Sequence, residues 1–315
     1  MERTLADLGE FGLIASVTAG LPALPDDWVG PGDDAAVLRL AGGDLVATCD
    51  LLVENRHFRR SWSSAADVGH KAAAQSLADV AAMGAEPLAL LVAFGAPGDL
   101  SAAWAQECQA GLIEEAALAG GFVVGGDVVS ADSIVLSVTA LGRATEAGLV
   151  LRSGANAGDV VALSGPTGMS AAGLAVLGRG FSAPRLAVAA HRRPTPDYAA
   201  GPLAARSGAH ALIDVSDGLL ADLGHVAQAS GVVIDLDPAM LPIPEAVQAV
   251  SAALGRADPL AMVLTGGEDH ALAGCFERTD VPAGWFIVGT VEAGEPAVTV
   301  AGEGYAGDQG HDHFR

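Results

Sequence analysis

The chain alternates short apolar runs with alanine-rich stretches of helical period, and glycines punctuate most of the junctions. Residues 44–53 (DLVATCDLLV) predict a strand. Ser64 followed by Asp67 makes a capping box, so a helix is expected from residue 64 to about residue 83, where Gly84 stops it. Residues 87–94 predict a buried strand, and Ser101 caps a second helix that ends at Gly120 and Gly121. Two more strands, 122–124 and 134–141, are expected on either side of the segment GGDVVSAD. The order β-α-β-α-β-β implies a mixed sheet with helices on one face.

Residues 151–159 (LRSGANAGD) are rich in glycine and polar residues and suit a domain junction. The pattern then restarts. A strand at 160–163 leads through the glycine-rich SGPTGMSAAG into a helix. A second strand at 212–215 runs into a helix capped by Ser216 and closed by Gly231. Strands follow at 232–236 and after the turn in LTGGEDHALAGCF, and the polar tail beyond Gly302 reads as a surface loop or lid. The expected fold is α/β with mixed sheets, an N-terminal domain at 1–150 and a C-terminal domain at 151–315.

Composition removes several alternatives. Thirty-eight acids against sixteen bases leave a formal charge of −22, which disfavours nucleic acid and anionic membranes as partners. The most apolar stretch, 80–97, is broken by Glu86 and Pro87 and is too short to span a bilayer. The acidic N-terminus does not read as a signal peptide, so a cytoplasmic protein is expected. Cys49, Cys108 and Cys275 show no metal or disulfide spacing and read as small buried apolar residues. Lys71 is the single lysine, and it follows no glycine-rich loop of the P-loop type. An ATP site in this chain would need metals, backbone amides and arginine.

The remaining candidates are carboxylates beside glycine or at element ends: Asp33-Asp34, Thr48-Cys49-Asp50, Asp79, Gly125-Gly126-Asp127 and Asp214-Val215-Ser216-Asp217. Magnesium takes oxygen ligands and usually one or two carboxylates per ion, so single aspartates from separate elements suit several ions bridging phosphates. Taken singly, Asp33, Asp34 and Asp217 also suit turns and helix starts. Asp79 lies among alanines on the first helix, where a buried carboxylate needs a partner.

Read in order, GDDAAVL, TCDLLVENRHF, SLADVAAMGAEP, GGDVV, LRSG, DVSDGLLADLGH, TGGEDHAL and the terminal GHDHF resemble the thiamine-monophosphate kinase family. That family belongs to the aminoimidazole-ribonucleotide synthetase-like ATP enzymes, and the resemblance covers nearly the whole chain. It implies transfer of the ATP γ-phosphoryl group to thiamine monophosphate, with several Mg2+ ions. By resemblance, Asp34, Thr48, Cys49, Asp50, Asp79, Asp127, Asp214 and Asp217 are metal ligands, some through backbone oxygen. Gly126, Asp127, Arg152 and Ser216 are ATP contacts, and Asp50, Asp127 and Arg152 carry the catalysis. His57 and Glu268 are acceptor contacts, and His311 occupies the family's aromatic position before DHF. The resemblance also implies a homodimer formed through the first domain. Two alternatives remain open: an inactive nucleotide- or thiamine-phosphate-binding homologue, and another ATP enzyme of the same superfamily. Against two such enzymes, no cysteine precedes Cys49, as selenophosphate synthetase would require, and the chain ends HFR where a carbamoyl dehydratase would end in cysteine.

Overall fold

The computed structural model describes residues 5–21, 23–255, 258–307 and 310–311. The first sheet contains β1 (Ala36–Leu40), β2 (Gly43–Val53), β3 (Glu86–Ala96), β4 (Phe122–Ser130) and β5 (Val135–Arg143), in the order β1-β2-β5-β3-β4. Only the β3–β4 pair is parallel. Three helices accompany it, α1 (Leu5–Thr18), α2 (Ala65–Ala82) and α3 (Ala102–Leu118).

The capping box at Ser64 and Asp67 forms as expected and fixes the start of α2. Burial along β5 alternates, with Leu136, Val138 and Ala140 facing the core. The core lies between this face and α2, with Cys108, Leu112 and Ala116 of α3 behind. Two glycines close the α2–α3 gap. A Cβ on Gly69 would lie 1.9 Å from the Cys108 carbonyl oxygen, and one on Gly111 would lie 2.2 Å from that of Ala66. The helices therefore touch backbone to backbone.

The opposite face of the sheet is open. Leu51 is 51% exposed and Leu91 41%, and Phe122, Val124, Val128 and Val129 are exposed along the edge strand β4.

The second sheet contains β6 (Val160–Leu163), β7 (Ala211–Asp214), β8 (Val232–Leu236), β9 (Leu272–Phe276), β10 (Phe286–Ala293), β11 (Ala297–Val300) and β12 (Glu303–Gly304). Its order is β12-β11-β8-β10-β6-β9-β7, with β11 and β8 parallel. The helices are α4 (Met169–Leu177), α5 (Arg185–Arg192), α6 (Ala200–Arg206), α7 (Leu219–Ser230), α8 (Glu245–Leu254) and α9 (Pro259–Thr265).

Several expectations change. β4 continues through Gly125-Gly126-Asp127, so this trio lies within a strand rather than in a loop. β2, by contrast, forms where 44–53 was expected and ends at Val53, with Asp50 inside it. The helix after β7 starts at Leu219 instead of at Ser216. Its N-terminus is satisfied from within, because the Asp222 carboxylate accepts the N–H groups of Ser216, Asp217 and Gly218 at 3.0, 3.2 and 3.0 Å. Cys49 is exposed, unlike Cys108 and Cys275. No described helix is long and apolar enough to cross a membrane.

Candidate active site

Strand alternation decides which residues meet. On β2, Leu52 is buried, so Thr48 and Asp50 face α2 while Cys49 and Leu51 face the open side. Asp79, on the last turns of α2, meets them there: the Thr48 hydroxyl donates to Asp79 Oδ2 at 2.8 Å. Asp34, ahead of β1, and Asp214, at the end of β7, arrive from elsewhere in the chain. One carboxylate oxygen each from Asp34, Asp79 and Asp214 falls within 4.8 Å of the others. Oδ2 of Asp50 is buried with no hydrogen-bond partner among the described residues.

The acids are crowded and short of positive charge. Burial raises Asp34 to about 7, with Arg152 opposing the shift and Asp214 adding to it. Burial, then repulsion from Asp50, Asp214 and Asp34, holds Asp79 well above the usual carboxylate range. Burial also raises Asp50, against a hydrogen bond from Ser76. Two cationic groups are in contact. Arg152 Nη2 donates to Asp34 Oδ1 at 2.8 Å, and its backbone N–H donates to Asp33 Oδ1 at 2.6 Å. Its carbonyl accepts from Ser230 Oγ, whose oxygen in turn accepts the Gly154 and Ala155 N–H groups. His270 Nδ1 lies 3.0 Å from Asp214 Oδ2; burial works against its charge, but that carboxylate raises it.

A cavity of about 750 Å³ opens beside this cluster. Asp50, Asp79, Ser216 and Asp217 line it. His57, Trp62, His191, Glu268 and His311 line it as well. Glu268 and His270 both have positive φ, 63° and 54°, and the turn is held by Glu268 N–H to Ser216 O (2.7 Å) and His270 N–H to Val215 O (2.9 Å). Gly267 is required beneath it, since a Cβ there would lie 2.5 Å from Ser216 O. The Gly266-Gly267 pair thus serves close packing. Likewise, in the segment 164–170 the Gly168 and Ser170 N–H groups are taken by the Asp269 carboxylate, so this loop is structural.

Asp127 and Gly126 are not brought to the cluster. Asp127 pairs with Ala93 on β3, which pairs with Ser137 on β5, which pairs with Leu51 on β2. It therefore lies three strand spacings from β2, about 14 Å, and on the open face. Asp50 projects from the other face. Gly126 is needed by the sheet itself, because a Cβ would fall 1.8 Å from Val92 O. Of the terminal motif, Gly310 and His311 line the cavity, and residues 312–314 lie outside the described residues.

Sequence reasoning missed Lys71, His191 and Trp62. Lys71 bonds to Glu268 Oε1 at 2.8 Å, and His191 lies 3.4 Å from Glu268 Oε2. The available signal was a single lysine inside an alanine-rich helix, since a buried ammonium requires a carboxylate.

Two domains on mixed sheets with buried carboxylates beside a cleft define a class. Residues 32–144 match the AIR synthase related protein, N-terminal domain, and residues 156–301 match the AIR synthase related protein, C-terminal domain. The thiamine-monophosphate kinase of Mycobacterium tuberculosis is 47% identical over 312 residues, 99% of this chain and 93% of that protein. That of Corynebacterium glutamicum is 37% identical, covering 91% of this chain and 87% of its own length. A solved structure of AaThiL complexed with AMPPCP and TMP superposes with a TM-score of 0.92 at 31% identity, over 99% of both chains. The chain belongs to the thiamine-monophosphate kinase family of AIR synthase related proteins.

Proposed function

We propose that the chain transfers the γ-phosphoryl group of ATP to the phosphate of thiamine monophosphate, giving thiamine diphosphate and ADP, with Mg2+ held by its buried aspartates. The observation that carries this is the meeting of Asp34, Asp79 and Asp214 within 4.8 Å beside the cavity, with Asp50 Oδ2 left unpartnered. Related kinases at 47% and 37% identity and a neighbour complexed with AMPPCP and TMP support the same reaction.

The donor set suits magnesium: it is all oxygen, anionic, and drawn from separate elements. Bound there, Mg2+ would neutralise charge on the transferring phosphates. The chain's own groups hold the acids in place. Arg152 orients Asp34, His270 orients Asp214, and Thr48 orients Asp79. The acceptor is a phosphate with a second pKa of about 6, so no strong general base is needed and transfer is direct. Ser216 and Arg152 are the nucleotide side of the reading, and His57, Glu268 and His311 the acceptor side. Asp217, at the cavity wall, and Cys49, through its backbone, remain proposed metal ligands. Asp127 and Gly126 remain proposed nucleotide contacts.

Residues 1–150 are proposed as the metal-binding and dimerising domain, and 151–315 as the domain that completes the ATP and acceptor sites. The homodimer reading rests on the open apolar face of the first sheet and the exposed edge β4. Three free cysteines support a cytoplasmic location.

The test incubates the protein with ATP, Mg2+ and thiamine monophosphate and follows thiamine diphosphate and ADP. Equal appearance of both, lost in Asp50→Asn, supports the reading. Binding of both ligands without either product would replace it with the inactive homologue.

A further inference from the structure

Lys71 is 2% exposed, and its ammonium has a full set of acceptors. It lies 2.8 Å from Glu268 Oε1, 3.1 Å from the His57 carbonyl oxygen and 3.2 Å from the His191 carbonyl oxygen. An ammonium has three N–H donors, and all three are used. The charge therefore has no donor left for a phosphate, and Lys71 itself does not line the cavity. Its three partners do something different. His57 follows β2 and Lys71 lies on α2, in the first domain, whereas His191 and Glu268 belong to the second. One buried cation thus ties together the walls of one end of the cavity.

The tie also sets the carboxylate. With Oε1 fixed on Lys71, Oε2 is turned toward His191 Nδ1 at 3.4 Å, and that nitrogen also meets Ser170 Oγ at 3.1 Å. Glu268 holds a left-handed backbone, φ 63°, a conformation that a non-glycine residue keeps only when its surroundings enforce it. Burial works against its charge, but the Lys71 ammonium and His191 hold it well below the ordinary glutamate value.

We propose that Lys71 is the positioning residue of the acceptor site: by locking Glu268 Oε1 and the His57 and His191 carbonyls across the two domains, it presents an anionic Glu268 to the cationic thiamine group. This rests on the proposed reaction, in which Glu268 contacts the acceptor. Lys71 acts through Glu268 and makes no contact with ATP.

The experiment is steady-state kinetics of Lys71→Met, Glu268→Gln and the double variant, with melting curves for each. In Lys71→Met the KM for thiamine monophosphate should rise roughly tenfold to a hundredfold, the loss of one charge-assisted contact, while the KM for ATP stays within about twofold. The double variant has no unpaired buried charge, so it keeps the measurement available if Lys71→Met melts. Its KM for thiamine monophosphate should match that of Glu268→Gln alone. A KM for ATP that rises instead, or effects of the two changes that multiply, would overturn the proposal. No turnover of thiamine monophosphate by the wild-type protein would sink the proposed reaction. Turnover by the wild type with an unchanged acceptor KM in Lys71→Met would sink the positioning role alone.

Discussion

Two sets of acids lie in or beside the same cavity and are balanced in opposite ways. At one end Asp34, Asp50, Asp79 and Asp214 crowd together, and burial pushes three of them upward in pKa despite Arg152 and His270. At the other, the single carboxylate of Glu268 is matched by Lys71 and held downward. The difference is who supplies the positive charge. The Glu268 end carries its own cation in Lys71. The aspartate end is short of positive charge and calls for a divalent ion. An excess of buried carboxylate over cation, rather than carboxylate alone, sets the proposed metal site apart.

The comparison breaks most visibly in turnover. Asp79→Asn should lower kcat by about a hundredfold to a thousandfold, because it removes a charge from the centre of the electrostatic site. A variant with near-normal kcat would show that Asp79 is not part of that site.

Stability should then change in opposite directions at the two ends. In metal-free buffer Asp79→Asn relieves repulsion among buried acids and should raise the melting temperature. Glu268→Gln leaves Lys71 buried without its counter-charge and should cost about 1–3 kcal/mol, less than a fully buried pair because Glu268 is partly exposed. Calorimetry of both proteins with a chelator checks the signs; shifts in the same direction would refute the contrast.

A smaller effect follows from linkage. Asp34 is raised from 3.8 to about 7, so between these values the folded protein holds a proton that the unfolded chain releases. The stability this contributes is fully present below about pH 4 and is lost as the pH rises through about 7. The metal-free protein should therefore melt lower at pH 8 than at pH 5, and added Mg2+ should raise the melting temperature more at pH 8. Equal stabilisation at both values would separate the ion from these protons. Smallest of all, Thr48→Val removes one hydrogen bond to Asp79 and should reduce activity by a factor of about 2–10.

Much of this was legible beforehand where the controlling interaction is local. The Ser64–Asp67 capping box spans three residues, and α2 begins where it says. The aspartates of the cluster were all picked out. What failed were inferences that depend on neighbours distant in sequence. Cys49 read as a small buried residue, but strand alternation turns its side chain to the open face. Gly125-Gly126 read as a turn, because two glycines usually are one, whereas Gly126 is demanded by contact with Val92 of the adjacent strand. Ser216 read as a cap, but Asp222 reaches back from inside the helix to do that work. Lys71 and Glu268 lie in different domains, and no spacing rule joins them.

The glycine contacts between α2 and α3 have one further effect. Because Gly69 and Gly111 remove the cushion of side chains, α2 has little freedom to slide. It bears Lys71 in its second turn and Asp79 near its end, eight residues apart, or about 12 Å along the axis. The helix acts as a ruler, with the Lys71–Glu268 pair at one mark and the Asp79 cluster at the other. On the proposed function, that fixed span is the distance a bound acceptor has to bridge between Glu268 and the metal-holding acids.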